Sequence, residues 1–160
     1  MKKVLLISDS HGNMDGVRKI IKDIGKVDMA IHMGDIIGQD ELLREIVGCP
    51  VHIVRGNCDY SSSNPYSEVI IVGRNRIYAT HGHIEGVNWS FDGIVAAAKE
   101  AECNVALYGH THVPDISTFA GLLIINPGSV TNPRQLNRKP TYGILEIGDK
   151  GEINAHIEYV

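Results

Sequence analysis

The 160-residue chain has little cysteine, and its cysteines are poorly spaced for cross-linking. There are three, Cys49, Cys58 and Cys103, which is an odd number, and no two have a C-x-x-C spacing. A disulfide framework and a zinc site made of thiolates are therefore not expected. Three reduced thiols in a cytoplasmic protein are the simpler interpretation.

Long hydrophobic runs are also missing. No stretch approaches the ~18 consecutive apolar residues of a membrane-spanning helix. Lys2, Lys3 and the apolar residues 4–7 resemble the start of a signal peptide, but the apolar run stops at Ser8 and is too short for that role. We therefore expect an intracellular protein that does not enter a membrane.

Basic side chains do not predominate, since the formal net charge is -4 at pH 7. An extended nucleic-acid surface usually needs a basic domain and is not expected, although Arg134, Arg138 and Lys139 form a small basic patch. Neither G-x-x-x-x-G-K-[ST] nor G-x-G-x-x-G occurs. Nucleoside triphosphate and dinucleotide chemistry therefore have no support.

The composition is that of an ordinary globular protein, with 43% hydrophobic and 21% charged residues. The length fits one domain, residues 1–160, with a substantial core. Apolar runs in the first third predict buried strands at residues 4–7, 29–33 and 51–54. Apolar periodicity predicts helices at residues 14–24, capped by Asn13, and at residues 40–47. This β-α-β-α-β order predicts a parallel sheet covered by helices.

The second half of the chain is richer in strands. They are predicted at residues 69–72, 77–79, 105–108, 118–119, 122–125, 142–147 and 153–159. One helix is predicted at residues 91–101. Two sheets packed face to face, with helices outside, account for both halves of the chain.

Five short polar clusters each follow one of the hydrophobic runs. They are Asp9-Ser10-His11, Gly34-Asp35, Gly56-Asn57-Cys58-Asp59, His81-Gly82-His83 and Gly109-His110-Thr111-His112. The strand ends of an α/β sheet expose side chains in a common crevice, so residues far apart in the chain can meet there. The sequence therefore predicts one site assembled from all five clusters.

The clusters supply oxygen and nitrogen donors, a set that suits manganese, iron, nickel, zinc or magnesium ions. The two carboxylate oxygens of Asp35 can bridge two cations, and Gly109 is expected to let the backbone turn sharply before His110. Two cations ~3.5–4 Å apart lower the pKa of a shared water from 15.7 to roughly 7 and clamp phosphate oxygens. Hydrolysis of a phosphate ester by a metal-bridging hydroxide is the expected reaction.

The ordered set Asp9-x-His11, Gly34-Asp35, Gly56-Asn57-x-Asp59, His81 and Gly109-His110-x-His112 resembles the calcineurin-like metallophosphoesterase superfamily. Asn126-Pro127-Gly128-Ser129 resembles a later segment of that family, and the size resembles its small stand-alone phosphodiesterases of the YfcE type. The resemblance implies a four-layer α/β/β/α sandwich of two mixed β-sheets flanked by helices. It also implies one metal ion held by Asp9, His11, Asp35 and His112, and a second held by Asp35, Asn57, His81 and His110.

Catalytic roles and activating ions are also expected. Asn57 would stabilise the pentacoordinate phosphorus, and Asp59 would orient a ligand by a hydrogen bond. Many members have histidine where this chain has Cys58, so His83 is the candidate replacement for the general acid. Manganese is the first expectation for the two divalent ions, with nickel, iron, zinc and magnesium as alternatives.

The expected substrate is a small phosphodiester or nucleotide-like molecule. A phosphomonoesterase or nucleotidase with the same two-metal site is an alternative. So is a non-catalytic protein-binding scaffold of the same fold, like the vacuolar-sorting subunit of retromer, for which missing ligands would be expected. The oligomeric state stays open, including a homo-oligomer. His32 and His52 are expected to be structural.

Overall fold

The computed structural model describes all 160 residues. Its ten strands and three helices are, in chain order, β1 Lys2–Ile7, α1 Asp15–Ile24, β2 Met29–His32, α2 Asp40–Val47, β3 Val51–Ile53, β4 Ser67–Val72, β5 Asn75–Thr80, α3 Asp92–Glu100, β6 Val105–Leu107, β7 Asp115–Phe119, β8 Leu122–Asn126, β9 Thr141–Ile147 and β10 Ile153–Tyr159. No helix combines the length and apolarity needed to cross a membrane.

The strands form two mixed sheets of five strands each, ordered β10-β9-β1-β2-β3 and β4-β5-β6-β8-β7. In the first sheet β1, β2 and β3 are parallel, and β9 and β10 add an antiparallel pair. In the second sheet β5, β6 and β8 are parallel, with β4 and β7 antiparallel at the edges. Each sheet thus directs the carboxyl ends of several neighbouring strands to one edge.

Three apolar clusters define the order of the layers. Leu6 of the first sheet and Ile77 of the second belong to the cluster between the sheets. Ile20 of α1 and Leu43 of α2 pack on the other face of the first sheet, and Ile94 of α3 packs on the second. Each such buried side chain contributes about 1.5–3 kcal/mol. The predicted four-layer α/β/β/α sandwich is confirmed.

Among the local differences from the sequence prediction are the start of α1 and the length of β7. Helix α1 begins at Asp15, and Met14 occupies the cap position. Asn13 lies one residue before the cap, and its side chain accepts a hydrogen bond from the Asp15 N–H at 2.9 Å. Strand β7 begins at Asp115, before the predicted start at residue 118. The sequence prediction missed this start because polar residues occur there. Asp115 and Ser117 lie on an edge strand that is only partly covered, so they give no apolar signal.

Candidate metal centre

All seven candidate ligands lie together where the carboxyl ends of strands from the two sheets adjoin. The first sheet carries Asp9 and His11 after β1, Asp35 after β2 and Asn57 after β3; the second carries His81 after β5, and His110 and His112 after β6. The first sheet therefore supplies every oxygen donor and one imidazole. The second supplies three imidazoles.

Four of the side chains form a compact group around Asp9. Its Oδ1 lies 3.2 Å from Nε2 of His112 and 3.9 Å from Nε2 of His11. The two ring nitrogens are 3.2 Å apart. Oδ2 of Asp35 closes the group at 3.7 Å from Nε2 of His11. These are the residues expected around one cation.

The second group shares Asp35 with the first. Oδ2 of Asp35 lies 3.4 Å from Nε2 of His81. Oδ1 of Asn57 lies 3.0 Å from that nitrogen and 3.1 Å from Nδ1 of His110. The His81 and His110 nitrogens are 3.3 Å apart. Asp35 therefore stands between the two groups, as a bridging ligand would.

The six shorter separations fit divalent cations. Ligand atoms held about 2.1 Å from an ion are about 3.0–3.4 Å apart at tetrahedral or octahedral angles. Oδ1 of Asp9, moreover, is buried and has no hydrogen-bond partner. An orphaned carboxylate oxygen facing ring nitrogens at this spacing suits a cation, because burying its charge unpaired is costly.

Two imidazoles are oriented for ligation by backbone carbonyls. Nδ1–H of His81 donates to the carbonyl oxygen of Met33 at 2.6 Å, and Nδ1–H of His112 donates to that of Asn132 at 2.6 Å. In the neutral rings, each Nε2 lone pair then faces the carboxylates. Metal-ligating histidines commonly hold their second ring nitrogen in this way.

The electrostatics of the site favour positive charge at its centre. Burial alone would raise the pKa of Asp9, but the imidazoles of His112 and His81 outweigh it, and the pKa lies below its usual range. Burial would lower the pKa of His81, yet the carboxylates of Asp35 and Asp9 raise it. The pKa of Asp35 is lowered, since His81 and the Cys58 N–H outweigh burial. A divalent cation can supply the charge that these shifts demand.

The backbone around the centre is strained. Five candidate ligands have left-handed φ angles between 48° and 68°, namely Asp9, His11, Asp35, His110 and His112. Each such residue costs of order 1 kcal/mol relative to an ordinary conformation. Clustered strain of this kind is typical of functional sites, where the surrounding structure holds it in place.

Gly109 has a role different from the expected turn. Its φ is not left-handed; the left-handed residue is the following His110. A Cβ at position 109 would instead collide with the hydroxyl of Ser8 and with Oδ2 of Asp9. Close approach of the β6 loop to the β1 loop therefore requires glycine here.

Asp59 acts on the backbone of its neighbours. Its Oδ2 accepts N–H bonds from Asp35 at 2.7 Å and Gly56 at 2.8 Å, and its Oδ1 accepts one from Ile37 at 2.9 Å. Asp59 thus holds together the loops that present Asp35 and Asn57. The Asp59 carboxylate therefore contacts the main chain of the ligand residue Asp35 and not its side chain.

Cys58 and His83 lie beside the ligands. The Cys58 N–H donates to Oδ1 of Asp35 at 2.8 Å. Burial and the Asp35 carboxylate raise the pKa of the Cys58 thiol, which keeps it protonated at neutral pH. The His83 ring lies 5.4 Å from that of His81, and its buried Nδ1 has no hydrogen-bond partner. Burial and His81 lower the pKa of His83.

His32 and His52 lie outside the ligand set. The buried His32 accepts the Gly34 N–H on Nδ1 at 3.1 Å and bonds Ser10 Oγ through Nε2 at 2.8 Å. Burial lowers its pKa to about 4, so it is neutral. His52 contacts Glu68 at 2.8 Å.

Sequence reasoning missed several supporting groups. The Ser8 hydroxyl donates to Oδ2 of Asp9 at 2.6 Å, and the Ser129 hydroxyl donates to the Asp9 carbonyl at 2.8 Å. Only Ser129 had a signal, through the Asn126–Ser129 motif. The carbonyls of Met33 and Asn132 carry no side-chain signature at all.

Two open hollows flank the centre. One, of about 520 Å³, is lined by residues that include Ile37, Cys58 and Tyr60. The other, of about 410 Å³, is lined by Thr131, Asn132, Pro133, Arg134 and Arg138. Each hollow includes a residue that contacts a candidate ligand, namely Cys58 beside Asp35 and Asn132 beside His112.

Comparison with known proteins shows the family to which the chain belongs. Residues 1–150 match the calcineurin-like phosphoesterase superfamily domain, and the chain belongs to this family. It is 35% identical over 146 residues to a probable metallophosphoesterase, YsnB of Bacillus subtilis, covering 90% of this chain and 83% of the relative. It is 26% identical over 172 residues to phosphodiesterase YfcE of Escherichia coli, covering 91% and 88%.

Solved structures share the fold. A predicted phosphoesterase from Streptococcus pneumoniae has a TM-score of 0.80 at 29% identity, covering 99% of this chain and 98% of the other. Vps29 of Entamoeba histolytica, in complex with zinc, has a TM-score of 0.79 at 21% identity, covering 98% of each chain. The chain thus belongs to a phosphoesterase family, and Vps29, a protein of the same fold, has been solved with zinc.

Proposed function

We propose that the chain is a divalent-metal-dependent phosphodiesterase. The observation that carries the proposal is the convergence of seven nitrogen and oxygen donors at cation-ligand spacing, with the His81 and His112 rings locked by backbone carbonyls. A scaffold would not need this convergence, and its expected loss of ligands has not occurred in this chain.

The residues fit two cations. Asp9, His11, Asp35 and His112 would hold one, and Asp35, Asn57, His81 and His110 the other. The mixed oxygen and nitrogen set favours manganese first, with nickel, iron, zinc and magnesium as alternatives. Ions bound there would act as Lewis acids, on water and on the phosphoryl oxygens.

The chain's own residues would orient the ester and handle protons. The Asn57 side chain is exposed at the mouth of the site, where its amide can donate to a phosphoryl oxygen as negative charge develops. Asp59 would keep the Asp35 and Asn57 loops in register through its three N–H bonds. His83 is the proposed proton donor to the leaving oxygen, because its ring lies beside those of His81 and His110.

The proposed substrate is a small phosphodiester or nucleotide-like molecule. The open hollows on both sides of the ligands leave room for the two arms of a diester. Similarity to a named phosphodiesterase supports the same preference.

A metal-exchange screen tests the proposal. Purified protein freed of metal would be incubated with manganese, nickel, magnesium, zinc or iron and assayed on bis-p-nitrophenyl phosphate and on p-nitrophenyl phosphate. Metal-dependent hydrolysis of the diester is expected. Hydrolysis of the monoester alone would favour the phosphatase alternative. Absence of turnover with every pairing would favour a protein-binding scaffold.

A further inference from the structure

The basic patch at residues 134–139 divides into two parts with different surroundings. Lys139 lies with its Nζ 5.5 Å over the Tyr159 ring, so it already has a partner. Arg134 and Arg138 line the smaller hollow beside the metal centre. Two arginines therefore line one open hollow in a chain whose net charge is negative.

Neither arginine is used by the protein itself. The ion pairs of lysine, arginine and the amino terminus are formed by Met1, Lys2, Lys19 and Arg44. The hydrogen bonds of Arg134 and Arg138 come from their backbone N–H groups only. Two exposed guanidinium groups thus remain available to an anion, and their planar forks suit the oxygens of a phosphate.

The loop that carries the arginines is fixed to the metal centre. The Arg134 N–H donates to the carbonyl of His112 at 3.0 Å, and the His112 ring donates to the Asn132 carbonyl at 2.6 Å. The Ser129 hydroxyl accepts the Asn132 N–H at 2.7 Å and donates to the Asp9 carbonyl. The hollow is thus held at a set position relative to two candidate ligands.

The other end of the loop is held as well. The Gln135 side chain donates to the Lys139 carbonyl at 2.6 Å, and the Arg138 N–H donates to the Gln135 carbonyl at 3.0 Å. Arg138 has a left-handed φ of 52°, a conformation that this loop must stabilise. Preorganisation of this kind reduces the entropy lost when a ligand binds.

The hollow is separate from the position of the reacting phosphate. Nε2 of His112 faces Asp9, whereas its Nδ1 faces Asn132, which lines the hollow. We infer that Arg134 and Arg138 form a second anion subsite, and that the substrate is a small phosphodiester carrying a further phosphate on one arm. This inference rests on the proposed phosphodiesterase activity.

Two matched substrates test the subsite in the metal-loaded protein. Thymidine 5'-(p-nitrophenyl phosphate) and its 3'-phosphorylated form share the reacting diester and the leaving group and differ only in the second phosphate. We expect kcat/KM to be roughly tenfold higher for the phosphorylated compound, mainly through KM, since charge-assisted bidentate contacts are strong. In the double variant Arg134→Ala/Arg138→Ala this preference should fall to about one.

Two further variants sharpen the result. Arg134→Lys keeps the charge but loses the fork, so part of the preference should remain. Arg74→Ala, in the turn between β4 and β5, removes an exposed arginine far from the centre and should retain all of it. Equal kcat/KM for the two compounds in the unmodified protein, or a preference that survives the double variant, would overturn the subsite while leaving the phosphodiesterase intact.

Binding provides a readout that does not depend on turnover. Calorimetry should show tighter binding of thymidine 3',5'-bisphosphate than of thymidine 5'-phosphate, and the double variant should remove the difference. If neither nitrophenyl ester is hydrolysed, the proposed activity fails, and this binding difference alone decides the subsite. Stronger competition by oligothymidylate than by the bisphosphate would assign the second phosphate to a nucleic-acid strand and overturn the small-molecule substrate.

Discussion

The two sheets contribute unlike halves to the metal centre. The first sheet brings the negative charge, in Asp9 and Asp35, and anchors it with backbone N–H groups such as that of Cys58. The second brings three imidazoles, and the ring of His81 is anchored by the carbonyl of Met33, which directly follows β2 of the first sheet. In the other direction, the His110 N–H donates to Oδ2 of Asp9 at 3.0 Å.

Each half is thus oriented by the other. Without the second sheet, the carboxylate loops would lose three of the four imidazole donors. Without the first sheet, the histidine loops would lose the carbonyl that sets the His81 ring. The geometry of the centre therefore depends on how the sheets pack, which the apolar cluster between them determines. Metal binding and sheet packing should be coupled, because a cation that binds the folded site stabilises it.

The most damaging change should be removal of the shared carboxylate of the first sheet. Asp35→Ala should lower kcat/KM by roughly a thousandfold or more and should abolish binding of both ions, since Asp35 lies in both ligand groups. Metal content by mass spectrometry and diester hydrolysis measure the effect. Asp149→Ala, in the exposed turn before β10, is the control and should keep both. Full metal content with normal turnover in Asp35→Ala would contradict the bridging role.

The contact between the halves can be broken without touching a ligand. Gly109→Ala places a methyl group against Ser8 and Asp9, so it should push the β6 loop from the β1 loop and lower metal affinity by roughly 10–100-fold. Gly121→Ala, in the turn between β7 and β8, introduces strain at φ 79° but meets no neighbouring atom. Equal losses in the two variants would contradict the close approach at Gly109 as the cause of the effect.

Sequence reasoning succeeded where the signal lies in side chains at strand ends. Asp9, Asp35 and His81 each follow an apolar run, and a buried strand must end before a charged residue can reach the surface crevice. The two-sheet architecture followed from the change between helix-rich and strand-rich halves. Both conclusions need only local patterns and the rule that parallel strands share an edge.

Sequence reasoning failed where the structure uses backbone atoms or contacts between the sheets. The carbonyls that set His81 and His112 have no residue type, so no motif reports them. The motif indicated that Gly109 matters, but not why, because its collision partner Ser8 lies about a hundred residues away. Asp59 was expected to orient a ligand by a hydrogen bond; it accepts the N–H of the candidate ligand Asp35, and the sequence did not reveal its further bonds to the N–H groups of Ile37 and Gly56.

The buried histidine of the first sheet should make the free energy of unfolding depend on pH. His32 of the first sheet has its pKa lowered to about 4 by burial, whereas the usual value is 6.5. Between these pH values the unfolded chain binds more protons, so the free energy of unfolding should fall as the pH drops through this range. The loss is about 1.4 kcal/mol per pH unit and about 3 kcal/mol in all.

Denaturant unfolding between pH 7 and 4 measures this effect, with a chelator present so that metal release does not contribute. In His32→Asn the imidazole is absent, and the curve should be flatter by that amount, whatever the absolute stability of the variant. Parallel curves for the two proteins would contradict a neutral His32.

The smallest expected effect concerns the proton supply at the mouth of the centre. Cys58 is a protonated thiol beside Asp35, so Cys58→His should speed hydrolysis of diesters with poor leaving groups by roughly tenfold or more, because a general acid matters most there. Activated p-nitrophenyl esters should gain little. His83→Ala in the unmodified background should show the opposite selectivity, with the greater loss on poor leaving groups. Cys49→Ser, at a half-buried thiol near α2, should change neither rate. If Cys58→His leaves the rates on poor leaving groups unchanged while His83→Ala lowers them, the second sheet already supplies the proton as well as the imidazole ligands.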